Sequence, residues 1–236
     1  KCEAYAYGHQ CCDFSDGTLV CLTPGESISM KENNKEFPSK GWILAFHPDL
    51  ICGTPLGLNI HNYTFFSYCP EEALHLSLRE KQIILEFLER IRQELERCID
   101  RHSKKIISKY IELLLDYCTR FYERQFITRS EVNKKVFREF NHLLDNHFNV
   151  KVSLSTDVLS DEYCANLLHL SPAYFNDLLK YEIGKEFKEY IQFKRFEIAK
   201  GWLVNTDKTL GQIAQELGFS NSQYFSRLFK KITGCS

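Results

Sequence analysis

The residues of this chain best equipped to hold a metal or attack an electrophile are its eight histidines and ten cysteines, and neither set is arranged for that work. His9, His47, His61 and His75 stand singly, with no His-x-His pair and following Glu of the kind a metal-bearing β-barrel would need. The cysteines include no C-x-x-C pair, and a chain of 236 residues does not need disulfides to fold, so they read as small buried hydrophobes. Cys11 and Cys12 are adjacent and open two readings: a thiol sensor, or two side chains on opposite faces of a strand. No Gly-rich phosphate loop, serine elbow or paired-carboxylate arrangement is present. Catalysis has no seat here, and the chain is expected to be a non-enzyme without cofactor or metal.

The organised chemistry lies in an internal repeat. Cys164-Ala-Asn-Leu-Leu-His-Leu-Ser171 matches Ile213-Ala-Gln-Glu-Leu-Gly-Phe-Ser220, and Ala173-Tyr-Phe-Asn-Asp-Leu-Leu-Lys180 matches Gln223-Tyr-Phe-Ser-Arg-Leu-Phe-Lys230. The offset is 49 in the first part and 50 in the second, which places one inserted residue, Asn221, at the second turn. Each copy ends in a glycine ten residues past its tyrosine, Gly184 and Gly234. Each has the shape of a helix-turn-helix. Ala165 or Ala214 lets two helices approach closely, and His169 or Gly218 takes the backbone angle of a tight turn. A capping residue then opens the second helix. Pro172 after Ser171, and Thr209 with Gln212, are helix-start signals. Such a second helix fits the major groove of duplex DNA, with its first turn against the base edges.

The elements that must position these readers follow from periodicity. Residues 186–205 carry Phe187, Tyr190, Ile191, Ile198, Trp202 and Leu203 as an apolar stripe and predict one rigid helix joining the copies. Upstream, Ser77 with Glu80 forms a capping box before a long amphipathic helix. A second helix is expected from Ser103 to Arg124 and a third from Ser130 to about Asn146, packed as a bundle or a dimer seam. Residues 148–157 break the helical period and read as a linker. The first 74 residues read as short strands at 18–22, 42–46 and 63–68, punctuated by Pro24-Gly25, Phe37-Pro38, Pro48-Asp49 and Thr54-Pro55. The expected fold is therefore α+β: a small β-rich unit at 1–74, amphipathic helices at 75–147, and an all-α double helix-turn-helix at 148–236.

Charge is uneven along this plan. The net is −1 overall, but −5 over residues 1–74, +3 over 75–150 and +1 over 151–236. Phosphate would repel the front segment, so any DNA contact must come from a local basic face further on. With 44% hydrophobic residues and no apolar run of about 20, no membrane span is expected, and the chain reads as cytoplasmic.

The pattern Ile213-Ala-x-x-Leu-Gly-Phe-Ser-x-x-x-Tyr-Phe-Ser-Arg-Leu-Phe-Lys-Lys-x-x-Gly, with Ser171-Pro-x-Tyr-Phe and Gly184 in the first copy, resembles the signature of the AraC/XylS family of bacterial transcription regulators over residues 155–236. The resemblance implies a partly cupin-like front segment that senses an effector or dimerises. It implies promoter DNA, a second copy and RNA polymerase as partners, and leaves the small-molecule effector unnamed. Family members continue beyond the position of Ser236 with a proline and a last short helix, so this chain is expected to be a fragment at both ends and to lack that helix. By position, Ala173, Tyr174, Asn176 and Asp177 in the first reading helix, and Ser222, Gln223, Ser226 and Arg227 in the second, are the base-contact candidates. Asn and Gln suit adenine and Arg suits guanine. Asp177 either accepts from cytosine N4 or merely caps or pairs at the surface. Ser171, Lys180, Lys194, Lys200, Asn221, Lys230 and Lys231 are the phosphate candidates. Phe175 and Phe225 are expected in the core. The competing reading is an effector-binding or protein-interaction module without DNA binding, whose affinity would not fall with salt.

Overall fold

A computed structural model describes residues 8–26, 41–149, 159–219 and 221–233. Residues 150–157 of the expected linker, Phe37-Pro38, Ser220, Gly234, Cys2 and Cys235 lie outside the described residues. The chain divides into two compact units, residues 1–130 and 131–236.

The first unit is built on helices. Strand β1 (Gly17–Leu19) pairs antiparallel with β2 (Leu74–Leu76), with Thr18 opposite His75. Between them, among the described residues, lie two short helices, α1 (Pro48–Ile51) and α2 (Pro55–Asn59), and three 3-10 turns at Ile60–Asn62, Thr64–Ser67 and Pro70–Glu72. Two long helices follow, α3 (Leu78–Glu96) and α4 (Ser103–Thr128). The capping box at the start of α3 forms as its sequence dictates: Glu80 N–H donates to Ser77 Oγ, and the Ser77 N–H donates to Glu80 Oε2 at 2.9 Å.

The β-rich, cupin-like expectation for residues 1–74 is corrected here. Among the described residues the only sheet is the two-stranded one. Of the three expected strands, 18–22 survives in part, 42–46 has no regular structure and 63–68 folds into a 3-10 turn. Phe65 and Tyr68, placed in the third expected strand, serve instead as anchors on α4. They lie 5.4 and 5.1 Å from the Tyr122 ring, the second edge-on. The buried strand β2 needs no third strand because α4 covers its other edge. Gln125 accepts from His75 N–H at 2.8 Å and donates to Ala73 O at 3.0 Å, while Arg124 donates to His75 O at 2.7 Å. Those backbone groups would otherwise be buried without partners, at a cost of roughly 1–3 kcal/mol each.

The second unit begins with α5 (Ser130–Asn149), followed by α6 (Asp161–Leu167), α7 (Pro172–Ile183), α8 (Phe187–Asn205), α9 (Leu210–Glu216) and α10 (Ser222–Thr233). Among its described residues two separate cores stand out. Phe140 and Leu144 of α5 join Cys164, Ala165, Phe175, Leu179, Phe187, Tyr190 and Ile191 in the first. Phe196, Ala199, Ile213, Ala214, Leu217, Phe225 and Phe229 make the second. The third amphipathic helix, expected among the middle helices of 75–147, thus packs with the first helix-turn-helix, and the division falls near residue 130 rather than 148.

Helix α8 serves both cores, but not through a single stripe. Phe187 and Phe196 are nine residues apart, which at 100° per residue places them on about opposite sides of the helix. Its first half closes one core and its second half the other, while Leu203, counted in the expected stripe, is 36% exposed.

Candidate nucleic-acid interface

Two turns define this region, and their backbones repeat each other. In the first copy Ser160 caps α6, accepting from Tyr163 N–H at 3.0 Å, and the chain reverses at His169, whose φ is 57°. Leu170 N–H then returns to Ala165 O at 2.9 Å. In the second copy Thr209 and Gln212 form the capping box that starts α9, and the reversal falls at Gly218 with φ 76°. Phe219 N–H returns to Ala214 O, also at 2.9 Å. A left-handed backbone costs an ordinary residue about 1–2 kcal/mol. Glycine avoids that cost at the second turn, and histidine, among the residues that tolerate the region best, bears it at the first. The alanines expected to allow close approach, Ala165 and Ala214, are both fully buried beneath their turns.

The second copy's cap stands one residue beyond the serine that the repeat matches to Ser171. Ser171 caps α7 by accepting from Tyr174 N–H at 3.2 Å, with Pro172 in the first helical position and Gly184 closing the helix at φ 65°. In the second copy the equivalent task falls to Asn221, whose Oδ1 accepts from Gln223 N–H at 2.8 Å and whose carbonyl accepts from Phe225 N–H at 3.0 Å. The change of repeat offset from 49 to 50 therefore falls between Phe219 and the cap. An asparagine there serves as well as serine, at a typical value of about 1 kcal/mol.

The burial of α7 and α10 separates the reading candidates. Tyr174 is 3% exposed and Ser171 4%, so packing and capping occupy these two, and the groups expected to meet a base and a phosphate face inward. Asn176 is half-buried and committed, its amide donating to Asp161 Oδ2 and Pro172 O, each at 3.0 Å. Ala173 and Asp177 are half-buried and Lys180 is exposed. On α10, Gln223, Arg227 and Lys230 are exposed, Ser226 is half-buried, and Ser222 and Lys231 occupy the first turn and the last. Phe175 and Phe225, expected in the core, are both completely buried.

The flanking lysines differ in availability. Lys194 is half-buried, 3.9 Å from Asp145 and above the Tyr190 ring, and Lys200 pairs with Glu197 at 3.1 Å. Among the described residues Lys180, Arg227 and Lys230 make no salt bridge. The free cations of the two reading helices are thus concentrated on α10.

One basic side chain escaped the sequence reading. Arg195 of α8 lies half-buried with its guanidinium 5.7 Å from the ring centre of Phe219, the residue that closes the second turn. Burial lowers its affinity for its proton, and its Nε has no hydrogen-bond partner among the described residues. Lys208 likewise packs over Trp202, 4.6 Å from the ring centre, while pairing with Glu216 of α9. Neither residue stands at a repeat position, so the repeat gave no sign of them. Among the described residues no cluster of metal-ligating side chains occurs, and no helix is long and apolar enough to cross a membrane.

This arrangement of caps, turns and close-packed alanines, formed twice on one shared helix, defines a tandem helix-turn-helix domain. Residues 164–236 match the model of a helix-turn-helix domain family. Among curated proteins the chain is similar to an uncharacterized HTH-type transcriptional regulator, YtdP, of Bacillus subtilis, 34% identical over 44% of this chain and 14% of the relative. It is similar to the bifunctional transcriptional activator/DNA repair enzyme AdaA of the same organism, 40% identical over 34% of this chain and 37% of the relative. The uncharacterized HTH-type transcriptional regulator YijO of Escherichia coli is 23% identical over 92% of this chain and 73% of the relative. The chain spans well under half the length of the first curated relatives it matches. No solved structure matches it significantly.

Proposed function

We propose that this chain is a sequence-specific DNA-binding transcription regulator that reads promoter DNA through two helix-turn-helix units, acting in the cytoplasm. The observation that carries the reading is the duplicated turn, with equal 2.9 Å closures at Leu170 and Phe219 and exposed Gln223, Arg227 and Lys230 on the helix after the second. The two reading helices would enter successive major grooves about one helical turn, roughly 34 Å, apart. Their shares are unequal. α10 is the principal reader, with Gln223 toward adenine and Arg227 toward guanine. α7 adds Lys180 to a phosphate, while Ala173 and Asp177 face the groove with little attraction for it.

The first unit is the dimerising or effector-sensing half in this reading, and promoter occupancy acts on RNA polymerase. For dimerisation the supporting observation is the outer face of α4. Ile106 and Leu113 are 37% and 44% exposed there, beside half-buried Tyr110. Lys105 and Lys109 precede the centre of that face, and Glu112 and Asp116 follow it. The pairs 105/116 and 109/112 share a midpoint, so an antiparallel second copy crossing near residue 110 would set each lysine opposite a carboxylate.

Selection of a preferred site from random duplexes, followed by binding to single-base variants of that site, tests the reading. Arg227→Ala should weaken binding to the preferred site by about 1–3 kcal/mol and erase the preference at one base pair. Equal weakening across all variants would remove Arg227 from base reading.

A further inference from the structure

Cys11 and Cys12 do not lie on a strand. They occupy the two corner positions of a reverse turn, closed by Asp13 N–H donating to Gln10 O at 3.0 Å, and both are exposed. The turn is rigidly seated. Gln10 N–H donates to Asp13 Oδ2 at 2.8 Å, and the Asp13 carboxylate, itself fully buried, pairs with the 6%-exposed Arg129 through Nε to Oδ1 at 2.9 Å. The same guanidinium donates to Gly8 O at 3.2 Å, so one arginine fastens both ends of the segment. Gly8 itself abuts the 70–72 turn so closely that a Cβ there would fall 1.6 Å from Glu71 O. Two adjacent thiols are thereby presented to solvent on a fixed frame, and Arg129 that fixes it is the residue between α4 and α5.

We propose that the Cys11–Cys12 turn is a dithiol chelation site for soft trivalent electrophiles of the arsenical type. Holding two sulfurs on one turn makes the second bond intramolecular, an advantage of about 10²- to 10⁴-fold over separate thiols. A bridging arsenic atom also closes a larger ring than a direct disulfide between neighbours would. Burial and the neighbouring Asp13 carboxylate push the Cys12 thiol up, keeping it protonated at neutral pH, where it is a poor nucleophile toward peroxide. Chelation fits that state. With phenylarsine oxide two As–S bonds form, the As–O bonds break, and the oxygen leaves as water with both thiol protons; arsenic and sulfur keep their oxidation states. The exposed thiols at Cys52, Cys69 and Cys98 have no cysteine adjacent in sequence.

The test loads the full chain, under reducing conditions, with one equivalent of phenylarsine oxide, and follows the adduct by intact mass during challenge with excess 2-mercaptoethanol and then dithiothreitol. The wild type and Cys52→Ser should retain one arsenical against the monothiol and release it to the dithiol. Cys11→Ser and Cys12→Ser should each bind about 10²- to 10⁴-fold more weakly and lose the arsenical to the monothiol. Matching thermal unfolding curves for the two variants and the wild type show that folding is intact. Retention by Cys11→Ser, or loss of the adduct from the wild type under monothiol, overturns the proposal.

Discussion

Replacing Phe225 by alanine should unfold the second reader before it disturbs anything else. Phe225 is fully buried, and its ring centre lies 4.7 Å from Phe219, 5.6 Å from Phe229 and 5.7 Å from Phe196. It therefore joins the turn, α10 and α8 at one point. Removing a buried phenyl group costs about 3–5 kcal/mol, as lost burial plus the cavity left behind. The aromatic contacts belong to that figure and are not added to it. At 1.4 kcal/mol per decade the loss is about 10²- to 10³·⁵-fold in the folding equilibrium. Trp202 packs against this core, whereas Trp42 is 52% exposed in the other unit, so the unfolding change in tryptophan fluorescence reports chiefly on the second reader. Urea titration of Phe225→Ala should show the midpoint of that signal displaced downward by an amount matching the calculated loss. A change below about 1 kcal/mol would mean that the core around Phe225 is not formed as described, and the turn geometry resting on it would fall too.

Two further perturbations address the first unit. Burial alone would raise the Asp13 carboxyl, but the Arg129 guanidinium and the Gln10 N–H outweigh it and hold the group below its usual value. A depressed carboxyl contributes stability fully above the unfolded value of about 3.9, and the contribution disappears as pH falls through the lower folded value. Asp13→Asn, which leaves Arg129 buried and unpaired, should therefore cost about 3–5 kcal/mol at pH 7 by circular dichroism in urea, with the gap to wild type narrowing below pH 4. A gap unchanged down to pH 2 would refute the pairing. On the outer face of α4, Leu113→Glu should convert a concentration-dependent dimer to monomer in sedimentation velocity with helix content unchanged. Monomeric wild-type protein at all concentrations would remove the α4 seam.

The second unit was legible in the sequence because its signals are local. The capping box at Thr209 and Gln212, proline at position 172, small residues at 165 and 214 and a turn residue at 169 or 218 each act within a few residues, and each forms in place. In the first unit the capping box at Ser77 and the two long helices were legible for the same reason, but the segment before them was not, because a strand exists only if something satisfies its edges. Nothing around residues 73–75 announces that Gln125 and Arg124, some fifty residues later, will do so. Amphipathic periodicity marked α5 as a helix but not its partner, since Phe140 and Leu144 would suit any apolar face. Within the site, repeat matching treated the faces of the two candidate reading helices as equivalent. The commitment of Asn176 to Asp161 and Pro172, and the burial of Tyr174, depend on contacts from α6 and the core that no spacing rule contains.

The most direct test of the central claim is the salt dependence of binding to a duplex carrying the preferred site, measured by fluorescence anisotropy with the full chain from 50 to 300 mM KCl. If Lys180 and Lys230 each meet a phosphate, the logarithm of affinity should fall against the logarithm of salt with a slope of about −2 or steeper, and Lys230→Ala should reduce that slope by about 1. An affinity that does not change with salt, or a slope that Lys230→Ala leaves unaltered, would contradict DNA reading by α10.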